Sequence, residues 1–271
     1  MKGLLICFLS LMALAGVMTG TAAGGHDITL TVVYDNYVST EGVRSDWGFS
    51  CLIEGPDEAI LFDTGARGDI LLSNMEALGI DPASVDMVVL SHIHHDHIGG
   101  LDAFLNEKSD IPVYFGDSFP VSFDQHISDR GARPIRVRKP FEICPYIIST
   151  GEIPGHPVAE QSLILDTDEG LIVITGCSHP GIVTILHRVR EICDKAIFLV
   201  CGGFHLTGVS GNAVRQIIAG FEKMGVQKCG PTHCTGDRAI SLFKEAYGKS
   251  CIPMGVGRII RIPERNKDII R

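Results

Sequence analysis

The stretch that most constrains this chain is one where an apolar run gives way at once to titratable side chains. Met87-Val88-Val89-Leu90 has the composition of a strand buried on both faces. It leads without a spacer into Ser91-His92-Ile93-His94-His95-Asp96-His97-Ile98-Gly99-Gly100-Leu101. Four histidines and an aspartate within six positions cannot be packed into a core without a metal ion or dense hydrogen bonding, because unpaired buried polar groups are costly. A turn at the end of a rigid strand aims His92, His94, Asp96 and His97 into one cavity, and the paired glycines let the backbone fold tightly before the next helix. His95 falls between the ligand positions and is expected to point away. Imidazole with carboxylate suits one or two divalent ions, zinc first, with iron or manganese as alternatives.

The rest of the chain supplies a frame for such a turn. Short apolar runs at Ile28 to Tyr34, Phe49 to Ile53, Ala59 to Phe62, Val113 to Phe115, Leu171 to Thr175 and Ala196 to Cys201 read as further strands. Ile182, Ile185, Leu186 and Val189 recur at helical spacing, as do Val214, Ile217, Ile218 and Phe221, and Leu242, Phe243 and Ala246 follow Asp237. Strands in runs with helices interspersed predict two sheets sandwiched between helices. With 271 residues, 45% of them hydrophobic, and glycine and proline spread throughout, the expectation is one large α/β domain.

His92, His94, Asp96 and His97 match the H-x-H-x-D-H signature, and Leu61-Phe62-Asp63-Thr64-Gly65 looks like a strand ending in D-T-G. On these two motifs the chain resembles the metallo-β-lactamase superfamily. The resemblance implies an αββα sandwich with metals at one edge of the two sheets. It also exposes a departure: the usual T-G-D, whose aspartate bridges two metals, is replaced by Thr175-Gly176-Cys177. The third ligand of the first metal is then His156, in Pro154-Gly155-His156, or His179, in Gly176-Cys177-Ser178-His179-Pro180-Gly181. His179 is favoured, because this segment together with Gly202-Gly203-Phe204-His205-Leu206 and His233-Cys234-Thr235-Gly236 is similar to the superfamily's branch of 7,8-dihydropterin-6-methyl-4-(β-D-ribofuranosyl)-aminobenzene-5′-phosphate synthases. By that resemblance His92, His94 and His179 hold one ion, Asp96, His97 and His233 another. Cys177 reads as a core thiol before a ligand. His205, after a glycine pair at a strand end, is either a capped loop residue or a substrate-contacting or proton-transfer group; with Asp96 it is the catalytic candidate.

The implied activity is hydrolysis of a small-molecule substrate by metal-activated water, with a synthase-like transferase and a non-catalytic metal-binding sensor as alternatives. A formal charge of −9 argues against a nucleic-acid partner, and the one basic stretch, Arg133 to Lys139, alternates like a solvated strand edge. Lys2 followed by an apolar run from Gly3 to Met18 and small residues to Gly25 reads as a secretory signal over 1–23, leaving a domain at 24–271 that is periplasmic or secreted and has no further span. A retained membrane anchor is the alternative. Eight of the nine cysteines lie beyond that segment, and none forms a C-x-x-C pair, so most are expected to be buried small apolar residues.

Overall fold

The computed structural model describes residues 28–55 and 57–262; the leader predicted over 1–23 lies outside them. Two sheets pack face to face. The first runs β13-β1-β2-β3-β4-β5-β6, with β1 Ile28–Tyr34, β2 Ser50–Glu54, β3 Ala59–Phe62, β4 Met87–Val89, β5 Pro112–Gly116, β6 Arg133–Val137 and β13 Ile259–Ile262. The second runs β12-β11-β10-β9-β8-β7, with β7 Phe141–Cys144, β8 Ile147–Ser149, β9 Leu163–Thr167, β10 Gly170–Thr175, β11 Ile197–Gly203 and β12 Lys228–Thr232.

The strands carry few polar residues because both faces are covered. Side chains alternate between two cores: Ile60 and Phe62 of β3 and Ile172 and Ile174 of β10 meet between the sheets. Leu61 instead faces a layer containing α1 (Gly68–Ala77), α3 (Leu101–Glu107) and α4 (Ser122–Asp129). Leu171 and Val173 face α5 (Ile182–Ile192), α6 (Gly211–Lys223) and α7 (Asp237–Tyr247). This is the expected αββα sandwich, in a single domain. Burying a side chain such as Phe62 or Ile174 stabilises it by roughly 1.5–3 kcal/mol, so the layers are held by many such contacts rather than by any one.

The segment from Phe115 to Cys144, where the sequence shows only the edge-like basic stretch from Arg133, contains α4, β6 and β7. Its apolar signal is interrupted by charge: Arg136 of β6 donates to both carboxylate oxygens of Asp124 on α4, and its basic stretch is in part ion-paired. Strand β9 ends in Asp166-Thr167 and β12 contains Gly230 and Pro231, compositions that strand propensity does not flag. All eight described cysteines are free thiols, six of them buried. Among the described residues no helix is long and apolar enough to cross a membrane.

The parallel pairs β10·β11 and β11·β12 place Thr175 beside Gly202 and Gly203 beside Thr232. Three strands therefore end at one edge, opposite the end of β4. Crossover helices α5 and α6 make this alignment possible, since parallel neighbours must return to the same side.

Candidate metal centre

The turn after β4 is held from below by the D-T-G motif. Asp63, buried and with φ of 58°, accepts hydrogen bonds from the Ser91 amide and hydroxyl and lies 2.7 Å from His97 Nδ1. Thr64 donates through its amide and hydroxyl to the His97 carbonyl. Glycine is required where these segments meet: a Cβ on Gly100 would lie 2.1 Å from the Thr64 carbonyl, and one on Gly99 2.2 Å from that of Ala66. The single-turn helix α2 (His95–Ile98) results, with His95 exposed and outside the cluster.

Across the edge, Glu160 fixes the turn after β10. Its carboxylate accepts from three successive amides, Cys177, Ser178 and His179, at 2.8–2.9 Å. Burial pushes Glu160 up to about 7 against these hydrogen bonds. Gln161 joins the halves, donating through its side chain to the Leu90 carbonyl and through its amide to that of Ser91. Gly176 lets them touch, since a Cβ there would lie 2.1 Å from Ser91 Oγ. Neither Glu160 nor Gln161 was singled out in sequence, where a lone carboxylate beside an amide carries no signal.

Three neighbouring donor groups result, the second and third sharing Cys177. In the first, His94 Nδ1 lies 3.1 Å from both His92 Nε2 and His179 Nε2. The second comprises Asp96, His97, Cys177 and His233, with Asp96 Oδ2 3.3 Å from His233 Nε2 and 3.6 Å from His97 Nε2, which is 3.2 Å from Cys177 Sγ. The third is Cys177, His205 and Cys234. Among the two candidates for the first group, the structure brings in His179; His156 is exposed, and only its backbone approaches, the amide lying 3.5 Å from the His179 carbonyl. Cys177 is buried, as expected of a core thiol, and its sulfur also lies within the second and third groups, because the Glu160 hydrogen bonds bend the chain there and Ser178 follows with φ of 69°.

The electrostatics keep the first group in ligand form. Burial, then neighbouring histidines, holds His92 well below its usual range and takes His179 down to about 4. His94 is lowered, chiefly by burial. His97 differs: burial opposes its charge, but the Asp63 carboxylate outweighs that and raises it to about 9. Asp96 is lowered, its burial outweighed by His233 and His97. Cys234 sits well below the thiol range, since contacts from Cys177 and His205 overcome burial.

These residues fit a divalent cation. A neutral imidazole has one N–H, so three ring nitrogens converging at 3.1 Å cannot all satisfy one another, whereas a cation accepts their lone pairs together. His233 Nε2 is buried without a directed hydrogen bond and faces Asp96, while its Nδ1 lies 3.0 Å from Asn36 Oδ1, an outer partner that orients a ligand ring. Trp47 Nε1 donates to Asp96 Oδ2 at 2.8 Å. His205, with φ of 53°, is exposed, its ring 4.3 Å from that of His179, on a cavity of about 230 Å³.

Comparison with known proteins agrees with this geometry. A family model described as "Metallo-beta-lactamase superfamily" matches residues 48–191. A Methanocaldococcus jannaschii protein, "7,8-dihydropterin-6-methyl-4-(beta-D-ribofuranosyl)-aminobenzene-5'-phosphate synthase", is 31% identical, the match covering 80% of this chain and 90% of the relative. The solved structure of Tm1679, described as a metal-dependent hydrolase of the beta-lactamase superfamily, superposes with a TM-score of 0.74 at 29% identity over 88% of this chain and 100% of that one. The fold alone is shared with YhfI of Bacillus subtilis, at a TM-score of 0.63 and 16% identity over 87% of this chain and 99% of that one. Matches of this extent, over a chain whose H-x-H-x-D-H turn and strand-end histidines converge in space, establish that it belongs to the metallo-beta-lactamase superfamily.

Proposed function

We propose that this chain is a metal-dependent hydrolase acting on a small-molecule substrate. The observation that carries the reading is the adjacency of His92/His94/His179 and Asp96/His97/Cys177/His233 at the meeting of the two sheet edges. One or two divalent ions held there, zinc foremost, would lower the pKa of bound water toward neutrality and supply hydroxide. Asp96, its carboxylate between His97 and His233 and anchored by Trp47, orients the nucleophile. His205, at the mouth of the cavity beside His179, meets the substrate. The apolar run from Gly3 to Met18, read as a secretory signal, supports a periplasmic or secreted location.

The likeness to Tm1679 supports hydrolysis, and the M. jannaschii relative supports a second reading, a synthase-like transferase. Zinc-loaded protein assayed on phosphodiester, lactone, thioester and β-lactam substrates, alongside the pterin and ribosyl-aminobenzene phosphate pair, separates them. Hydrolysis abolished by a chelator is expected; efficient formation of the pterin product would favour the transferase, and bound metal with no turnover on any substrate a sensor.

A further inference from the structure

We propose that Cys177, Cys234 and His205 form a thiolate–imidazole site for an additional zinc-class ion, contiguous with the two nitrogen- and oxygen-rich groups and resting on the same reading of this edge as a metal centre. The three ligand atoms lie within 4.8 Å of one another. Tetrahedral zinc with bonds of about 2.3 Å to sulfur and 2.0 Å to nitrogen separates such ligands by roughly 3.5–3.8 Å, so a side-chain adjustment of about an ångström closes the site. Two cysteines and a histidine are a ligand set that leaves a fourth position open, and here the open side is defined. Cys177 and Cys234 are 3% and 4% exposed, whereas His205 is exposed and lines the cavity with His179.

Backbone and side-chain hydrogen bonds hold the His205 and Cys234 turns together without help from the other donor groups. The Leu206 and Thr207 amides and the Thr207 hydroxyl all donate to the Cys234 carbonyl, and the Phe204 amide donates to Thr235 Oγ1, which staples the His205 turn to the Cys234 turn. Gly203 makes room for the thiol: a Cβ there would lie 2.7 Å from Cys234 Sγ. Cys177 Sγ, 3.2 Å from His97 Nε2, stands where superfamily members carry a bridging aspartate, and a thiolate at that point bridges to an ion in the second group. His205 then reaches the substrate as a ligand of the open-faced ion rather than as a proton donor.

Cobalt(II) titration of the apoprotein tests this, because cobalt–thiolate bonds give near-ultraviolet charge-transfer absorption that nitrogen and oxygen ligands do not. The unaltered protein should develop that absorption. Cys234→Ser should lose roughly half of it and bind one ion fewer while keeping the cobalt d–d bands of the histidine groups. His205→Ala should weaken uptake of that same ion, with folding of each variant checked by circular dichroism. Cobalt bound without a thiolate band, a Cys234→Ser protein with unchanged spectrum and stoichiometry, or a Cys177–Cys234 disulfide found by mass spectrometry in the purified protein would each overturn the thiolate site alone. No cobalt bound at all would overturn the metal-centre reading with it.

Discussion

On one side of the centre His92, His94, Asp96 and His97 come from a single turn of the chain; on the other, Cys177 and His179, His205, and His233 and Cys234 come from the ends of β10, β11 and β12. The first side is placed by local backbone geometry, braced by Asp63 and Thr64 beneath it. The second is placed by the register of a parallel sheet, with left-handed backbone at Ser178, His205 and His233 just beyond the strand ends. Such conformations cost on the order of 1–3 kcal/mol each in non-glycine residues, and they persist because neighbouring hydrogen bonds over-determine them. A compact motif tolerates little change within itself, whereas a distributed one depends on the residues that align its strand ends.

The sharpest way to break this contrast is to remove one ligand from each side. His92→Ala and His179→Ala should cost the first metal position equally, lowering turnover by roughly a hundredfold or more, as measured by metal content and activity. If His179→Ala retains both, the distributed half does not contribute to that position. Asp63→Asn removes one of the two acceptor oxygens that serve Ser91 and His97, and should weaken metal affinity by about 10–100-fold without unfolding the protein, as read by chelator competition.

A third test concerns the support of the distributed half. Asp35 accepts from the Thr232 hydroxyl just before His233, and burial raises its carboxyl from 3.8 to about 6. The folded protein therefore holds a proton that the unfolded chain releases. The associated stability is fully present below about pH 4 and lost as pH rises through about 6, on the order of 3 kcal/mol at most. Thermal melts should show that Asp35→Asn flattens this fall between pH 4 and 6; an unchanged slope would remove Asp35 from the account. The smallest effect is expected at His156 and His95, exposed and outside every donor group, where alanine should change metal content and turnover by less than about twofold.

The two sides also differ in how far they could be read from sequence. The H-x-H-x-D-H turn and the D-T-G strand were legible because their ligands and braces sit within short windows. Strands rich in β-branched residues, such as Ile28 to Tyr34 and Leu171 to Thr175, were legible for the same reason. Strands β7 to β9 and β12 were not predicted as strands, since polar residues, glycine and proline dilute their pattern and sheet pairing holds them instead. Glu160 was invisible as a brace: its role depends on three amides that follow it by 17 to 19 positions.

The sequence by itself determined that a buried strand ends in a dense ligand cluster, that the chain belongs with αββα sandwiches and that the usual aspartate is a cysteine. Only the tertiary structure brings His179 rather than His156 beside His92 and His94, and sets the buried Cys177 thiol within two donor groups. Local patterns record which side chains share a turn. Which strand ends share an edge depends on register, crossover and the close approach that Gly176 permits, contacts between residues distant in the chain whose spacing alone does not reveal them.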